Sequence, residues 1–326
     1  MSSETEREEM EQRENYEVVV VGGGPAGLTT ALYTTRLNHD TALIDRGGGR
    51  AAMMADTHNV IGIPEEVSGN EFLQTAMEQL EGYGTDIHRE MVTEIERVDK
   101  ESPRFEISTT DGTLLADSVV LATGFTDGRP EPPLPRTGRG LHYCLHCDGY
   151  MFRGERAYVM GHDDSAAHVA MILLNFAESV DLLTRGDEPT WSEETGKLLR
   201  AHPVEIIESE IAEMFKDGEW LDGFEFENGE VREYKGGFGM YGSEYNNGLA
   251  SELGCELNED GTVAVDEDGK TSVEGVYAVG DLTPGNNQIP IAMGNGAKAG
   301  ISIHTELRTY PKPLDELENT LAADDD

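Results

Sequence analysis

The stretch His142-Tyr143-Cys144-Leu145-His146-Cys147-Asp148-Gly149 contains two of the chain's three cysteines, two residues apart, with an acid directly after the second. In thiol–disulfide exchange the nucleophile is a thiolate, and a Cys-x-x-Cys turn lets one sulfur attack while the other waits to resolve the product. Protonated His142 or His146 would stabilise such a thiolate, and Asp148 would carry protons to and from the leaving thiol. Zinc knuckles use the same spacing, and a plain structural turn is the third reading. A four-ligand zinc site needs a second Cys/His pair. His142 and His146 lie too close to the cysteines in sequence to form it easily, and Cys255 has no partner nearby. No metal is therefore expected, and Cys255 reads as an inert buried thiol.

The elements that must position this stretch belong to a chain of 326 residues, long enough for two domains. Three cysteines exclude a disulfide-stapled secreted scaffold, and a redox pair suits the reducing cytoplasm. The charged segment 1–15 has no apolar run of the signal-peptide kind, and no apolar stretch approaches bilayer length. The formal net charge of -40 opposes binding to nucleic acid or to an anionic membrane. Acidic residues run along the whole chain, and arginine outnumbers lysine. Such self-repulsion is tolerable in concentrated salt, where the Debye length shrinks to about 3 Å at 1 M. This is the style of proteins from salt-accumulating halophiles such as haloarchaea.

Ahead of the cysteines, Val18 to Val21 reads as a buried parallel strand running into Gly22-Gly23-Gly24-Pro25-Ala26-Gly27 and a helix over 28–37. Ala42 to Asp45 follows as a strand ending in an acid. This is a Gly-x-Gly-x-x-Gly turn in its strand–turn–helix–strand setting. Gly24 admits a pyrophosphate to the helix N-terminus, and Asp45 suits a ribose hydroxyl. The same domain continues through Asn59 to Gly62, a helix over 70–82 and paired strands over 104–121, closing at Ala122-Thr123-Gly124. The proline-rich run 128–135 reads as a linker out, and glycine-rich 236–248 as the linker back.

Beyond the cysteines the module recurs: a strand at 157–160, a turn at 161–166, a helix at 167–175 and a strand at 180–183. The spacing that carries Gly22 onto Gly161 also carries Gly27 onto Ala166 and Asp45 onto Thr184. Gly275 to Asp281 then forms another buried strand ending in an acid, and 288–307 a helix rich in small residues at its start.

Together Gly22-x-Gly24-Pro25-Ala26-Gly27, Ala122-Thr123-Gly124, Cys144-x-x-Cys147-Asp148-Gly149 and Gly275-Val276-Tyr277-Ala278-Val279-Gly280-Asp281 resemble, in order and spacing, the low-molecular-weight thioredoxin reductase family over roughly residues 16–310. The resemblance implies an α/β fold of two Rossmann-like dinucleotide-binding domains, the second inserted into the first. On that pattern an acidic tail occupies 1–15 and the FAD domain runs over 16–126 and 241–314. The inserted nicotinamide-nucleotide domain with the cysteine pair covers 127–240, and a second acidic tail 315–326. Asn59, Thr123, Gly124, Gly280, Asp281, Gln288 and Ile289 join the first glycine turn and Asp45 around FAD. Cys147 faces the flavin, Cys144 attacks the partner disulfide and Asp148 is the acid/base. A homodimer that rotates its inserted domain, with a thioredoxin-like protein as partner, completes what the resemblance implies.

The chain departs from that family in its second module. Gly-Gly-Gly-Asp-Ser-Ala becomes Gly161-His162-Asp163-Asp164-Ser165-Ala166, Glu-Glu becomes His168-Val169, and the 2′-phosphate-gripping His-Arg-Arg becomes Thr184-Arg185-Gly186. Gly161, Ser165, Ala166 and Arg185 remain for a weak nicotinamide site, so NADPH is expected to be a poor donor and ferredoxin or another carrier to be an alternative. Two other functions fit the same motifs: an O2-dependent dithiol oxidase and a non-catalytic FAD-binding redox sensor.

Overall fold

The computed structural model describes residues 14–98, 100 and 102–308. The acidic tails expected at 1–15 and 315–326 lie outside these residues, apart from Glu14 and Asn15. The chain folds into two compact units. One comprises residues up to Gly47, Leu73–Gly124 and the chain from Asn246 onward; the other comprises Gly48–Phe72 and Phe125–Tyr245.

Along the chain the first unit contains β1 (Asn15–Val21), α1 (Pro25–Arg36), β2 (Thr41–Ile44), α2 (Gly69–Tyr83) from Leu73 onward, β3 (Asp86–His88), β4 (Val92–Arg97), β5 (Phe105–Thr109) and β6 (Thr113–Leu121). The second contains β7 (Phe125–Asp127), β8 (Leu141–His142), α3 (Leu145–Asp148), β9 (Arg156–Met160), α4 (Asp164–Leu173), β10 (Ser179–Leu183), α5 (Glu193–Ala201), β11 (Val204–Ile207), β12 (Ile211–Asp217), β13 (Trp220–Phe226), β14 (Val231–Glu233), β15 (Gly236–Gly239) and β16 (Ser243–Tyr245). Back in the first unit come α6 (Gly248–Glu252), β17 (Val276–Ala278) and α7 (Ile289–Leu307).

In the first unit the sheet order is β3-β2-β1-β6-β5-β4. Strand β6 is long enough to serve two neighbours on one edge: its start pairs antiparallel with β5 and its end parallel with β17. Val18 to Val20 are wholly buried, as expected of a central parallel strand covered on both faces. Burying each such side chain is worth roughly 1.5–3 kcal/mol. The small residues of α7 serve close packing against α1. A Cβ on Gly296 would lie 2.3 Å from the Ala26 carbonyl oxygen, and one on Gly300 2.7 Å from the Tyr33 Cβ.

The second unit has a parallel sheet in the order β11-β10-β9-β15-β8. Side chains alternate across it, as the pleat requires. Ala157 and Val159 join the helix side with Ala166, Ala170 and Leu173 of α4. Tyr158 and Met160 join the other side with Phe224, Phe226 and Tyr234, from the antiparallel β12–β14 meander and the turn after it. The glycine-rich 236–248 corrects the linker reading, because Gly236–Gly239 is a fully buried strand between β9 and β8. Glycine is needed there because a Cβ on Gly237 would lie 2.0 Å from the Tyr158 carbonyl oxygen. The proline-rich 128–135 lies inside this unit, after β7, which pairs with β16.

Candidate functional site

In the first unit the Gly22–Gly27 turn joins β1 to α1. Gly22 has a φ of 111°, and a Cβ there would lie 2.4 Å from the Ala122 carbonyl oxygen; one on Gly27 would lie 1.9 Å from the Gly22 carbonyl oxygen. Both positions require glycine for packing. Gly24 differs: it is the N-cap of α1, no side chain caps that helix, Pro25 opens it, and a Cβ at Gly24 would meet nothing within 4 Å. Open space therefore lies over the uncapped N-terminal amides, with Ala26 packed behind them, as a dinucleotide pyrophosphate requires.

Asp45 has a duty beyond the ribose contact read from sequence. Its Oδ1 accepts the Gly23 N–H at 3.0 Å, which fastens the glycine turn, and Arg89 Nη1 lies 3.7 Å from its Oδ2. Thr123 donates its hydroxyl to the Asn246 carbonyl at 2.7 Å, and the Gly124 carbonyl accepts the Asn246 N–H, so this pair also secures the returning chain. Gly280 (φ 69°) begins a 3-10 turn, Gly280–Leu282, that includes Asp281. A Cβ on Gly280 would lie 2.7 Å from the Ala26 Cβ, so this turn sits against the α1 start. Gln288 caps α7, whose first residue is Ile289. The first unit thus gathers every expected FAD residue except Asn59, which is exposed in a loop of the other unit. The residues present fit a bound FAD.

In the second unit Cys144 and Cys147 form a disulfide, with Cα atoms 5.3 Å apart. Cys144 is the N-cap of the single-turn α3, and the Cys144 carbonyl accepts the N–H groups of Cys147 and Asp148. Asp148 thus shares one tight turn with both sulfurs. Its Oδ2 lies 2.9 Å from Nδ1 of His142, which is 7% exposed at the end of β8. His146 is exposed on the same turn. Cys255 is a buried free thiol near the Thr271 hydroxyl, and burial pushes its pKa up. Among the described residues no cluster of three or more His, Cys, Asp or Glu could hold a metal ion, and no helix is long and apolar enough to cross a membrane.

The second Gly161–Ala166 turn repeats the strand–turn–helix geometry with one difference. Asp163 is the N-cap of α4, and its Oδ1 accepts the Ala166 N–H at 2.9 Å. A carboxylate therefore occupies the helix terminus that is open at Gly24. Asp164 stands beside it; its pKa is held down by hydrogen bonds from Thr195 and Ser192. Ser165 is exposed and Ala166 buried. Arg185 (φ 56°) donates from Nη2 to the Glu131 carbonyl at 2.8 Å. Of the polar residues at the ends of β9, β10 and β15, sequence reasoning names His162, Thr184 and Arg185 and misses Tyr241. Among the described residues, Thr184 Oγ1, Arg185 Nη1 and the Tyr241 hydroxyl are buried without a hydrogen-bond partner, while His162 Nδ1 lies 3.6 Å from Asp187 Oδ2. Burial pushes the Tyr241 pKa up to about 12. The position of Tyr241 just beyond β15 is the sequence signal that could find it.

Comparison with known proteins agrees with this geometry. A family model described as pyridine nucleotide-disulphide oxidoreductase matches residues 16–296. Thioredoxin reductase of Helicobacter pylori is 31% identical over 309 residues, covering 89% of this chain and 98% of that protein. An alkyl hydroperoxide reductase polypeptide of Escherichia coli is 32% identical over 309 residues, covering 90% of this chain but 59% of that longer protein. The crystal structure of thioredoxin reductase from Streptococcus pyogenes aligns with a TM-score of 0.81 at 29% identity, covering 91% of this chain and 99% of that one. With one match running from the first glycine turn into α7 and spanning the disulfide turn, the chain belongs to the pyridine nucleotide-disulphide oxidoreductase family, as an FAD-dependent disulfide oxidoreductase.

Proposed function

We propose that this protein passes electrons through Cys144 and Cys147 to the disulfide of a thioredoxin-like protein, and that NADPH is a poor donor for it. The observation that carries the first part is the Cys144–Cys147 disulfide in one turn with Asp148. The similarity to thioredoxin reductases over nearly their whole length supports the choice of partner.

Bound FAD supplies two-electron redox chemistry. For its binding we assign the α1 N-terminus at Gly24 to Gly27 to the pyrophosphate, with Gly22 and Asp45 shaping the turn. Thr123, Gly124, Gly280, Asp281, Gln288 and Ile289 complete the assignment. In the reduced pair the Cys144 thiolate attacks the substrate disulfide, forming a mixed disulfide and releasing one substrate thiolate. Cys147 then attacks Cys144, restoring the protein disulfide and releasing the second thiolate. Asp148 takes the Cys147 proton and gives it to one departing sulfur; the other departing thiolate takes its proton from solvent, so the substrate leaves as a dithiol. Cys147 is the sulfur that would take up electrons from bound FAD.

The second part rests on Asp163. A nucleotide pyrophosphate at α4 would meet a carboxylate already bonded to the Ala166 amide. The unsatisfied polar atoms near Arg185 keep a residual nicotinamide site, and a carrier such as ferredoxin takes the donor's place. The same reading makes the protein a cytoplasmic homodimer. Anaerobic mixing of the purified protein with NADPH, NADH or reduced ferredoxin, then with oxidised thioredoxin, tests both parts. Rapid flavin bleaching by ferredoxin with thioredoxin turnover is expected. Bleaching by any donor without disulfide turnover would refute the oxidoreductase assignment.

A further inference from the structure

His142 is buried beside the reacting turn, and the exchange steps proposed for the cysteines leave it without a role. It ends β8, a two-residue strand whose partner is β15, with Phe238 opposite His142 in register. The imidazole lies edge-on to Phe152, with ring centroids 5.7 Å apart, and 6.0 Å from Phe238. Two aromatic walls therefore fix the ring plane, and Nδ1 points to Asp148 Oδ2 at 2.9 Å. The bond holds in either protonation state of the acid. Oδ2 accepts from the Nδ1–H tautomer both when Asp148 is ionised and when it carries a proton on Oδ1. Proton uptake and release at Asp148 can thus proceed without loss of its anchor.

Building on the acid/base assignment of Asp148, we infer that His142 is its positioning residue. It holds the carboxyl through Oδ2 and leaves Oδ1 to exchange the thiol proton. A carboxyl on so short a turn would otherwise sample several rotamers, and proton transfer demands hydrogen-bond reach.

The test uses the FAD-loaded full chain, anaerobically, at one pH. The probe is the rate at which excess dithiothreitol reduces the Cys144–Cys147 disulfide, with thiols counted by maleimide quench and mass. His142→Phe keeps an aromatic ring but removes the hydrogen bond, and should slow the reaction about ten- to a hundredfold, the size of a lost hydrogen bond to a charged group. His142→Asn places an amide N–H near Nδ1 and should stay within about threefold of wild type. In an Asp148→Asn background, His142→Phe should add less than about twofold, since residues acting as one unit are not additive. FAD content and melting midpoint report folding of each variant. Additive losses, or failure of His142→Asn to rescue, would overturn the inference, as would a full-rate His142→Phe beside a slow Asp148→Asn. A full-rate Asp148→Asn would instead refute the acid/base assignment beneath it.

Discussion

Replacing Asp163 by glycine should make the second turn a working NADPH site at almost no cost in stability. The carboxylate faces the α4 N-terminus, because its Oδ1 holds the Ala166 amide at 2.9 Å. A phosphate seeking the same turn would stand about 4 Å from it, and two such charges at an effective dielectric near 20 repel by about 4 kcal/mol. That is about a thousandfold in affinity. Molar salt softens the figure, since screening then acts within about 3 Å, so a gain of about a hundredfold or more is expected. Exchanging an N-cap Asp for Gly costs only a few tenths of a kcal/mol, which moves a domain of this size by roughly 1 °C. The assay is NADPH binding by calorimetry in concentrated KCl, with stopped-flow bleaching of the flavin beside it. Micromolar NADPH that binds wild type and bleaches it fully at the turnover rate would refute the reasoning, and so would an unchanged dissociation constant in the variant. Adding Gly186→Arg to regain a 2′-phosphate contact is a poor choice. Gly186 has a φ of 85°, and a Cβ there would lie 3.0 Å from Glu210 Oε1.

Gly24→Asp should fold yet purify without flavin, because its backbone φ of -77° suits any residue, its Cβ meets nothing, and the new acid would claim the α1 terminus; a yellow, fully loaded variant would contradict this. Cys147→Ser should accumulate a mixed disulfide between Cys144 and the substrate, since no thiol remains to resolve it, whereas Cys144→Ser should form none; mass spectrometry without reductant decides. Thermal melting should rise from 0.1 to 3 M KCl as screening relieves a net charge of -40, and a flat or falling midpoint would count against a halophilic surface.

Legibility in the sequence follows burial. Val18–Val21 and Ala157–Met160 read as strands because central parallel strands are apolar on both faces, and Val276–Ala278, parallel to the end of β6, is as fully buried. The β12–β14 meander is not legible, because strands such as Ile211–Asp217 bury few side chains and carry charges that blur the alternation. Gly236–Gly239 reads as a linker because the reason for its glycines, the Tyr158 backbone crowding Gly237, lies far away in sequence. The cysteine pair and glycine turns are legible because their spacing is itself the chemistry. The His142–Asp148 bond is not, since it depends on β8 lying in register beside β15.

At Asp163 the sequence places an acid at a helix start but leaves its direction open, and direction decides function. Turned to solvent it would leave the amides to a phosphate; bonded to Ala166 it stands in for the phosphate. The chain thus meets one physical requirement, negative charge at a helix N-terminus, in two ways. At α1 an open glycine leaves that charge to a ligand, while at α4 the protein supplies it. Gly24→Asp and Asp163→Gly exchange the two solutions. If direction is what matters, the first must lose a dinucleotide and the second gain one, and a result in which only one variant behaves so would mean that the loops around the two helices, rather than the caps, govern binding.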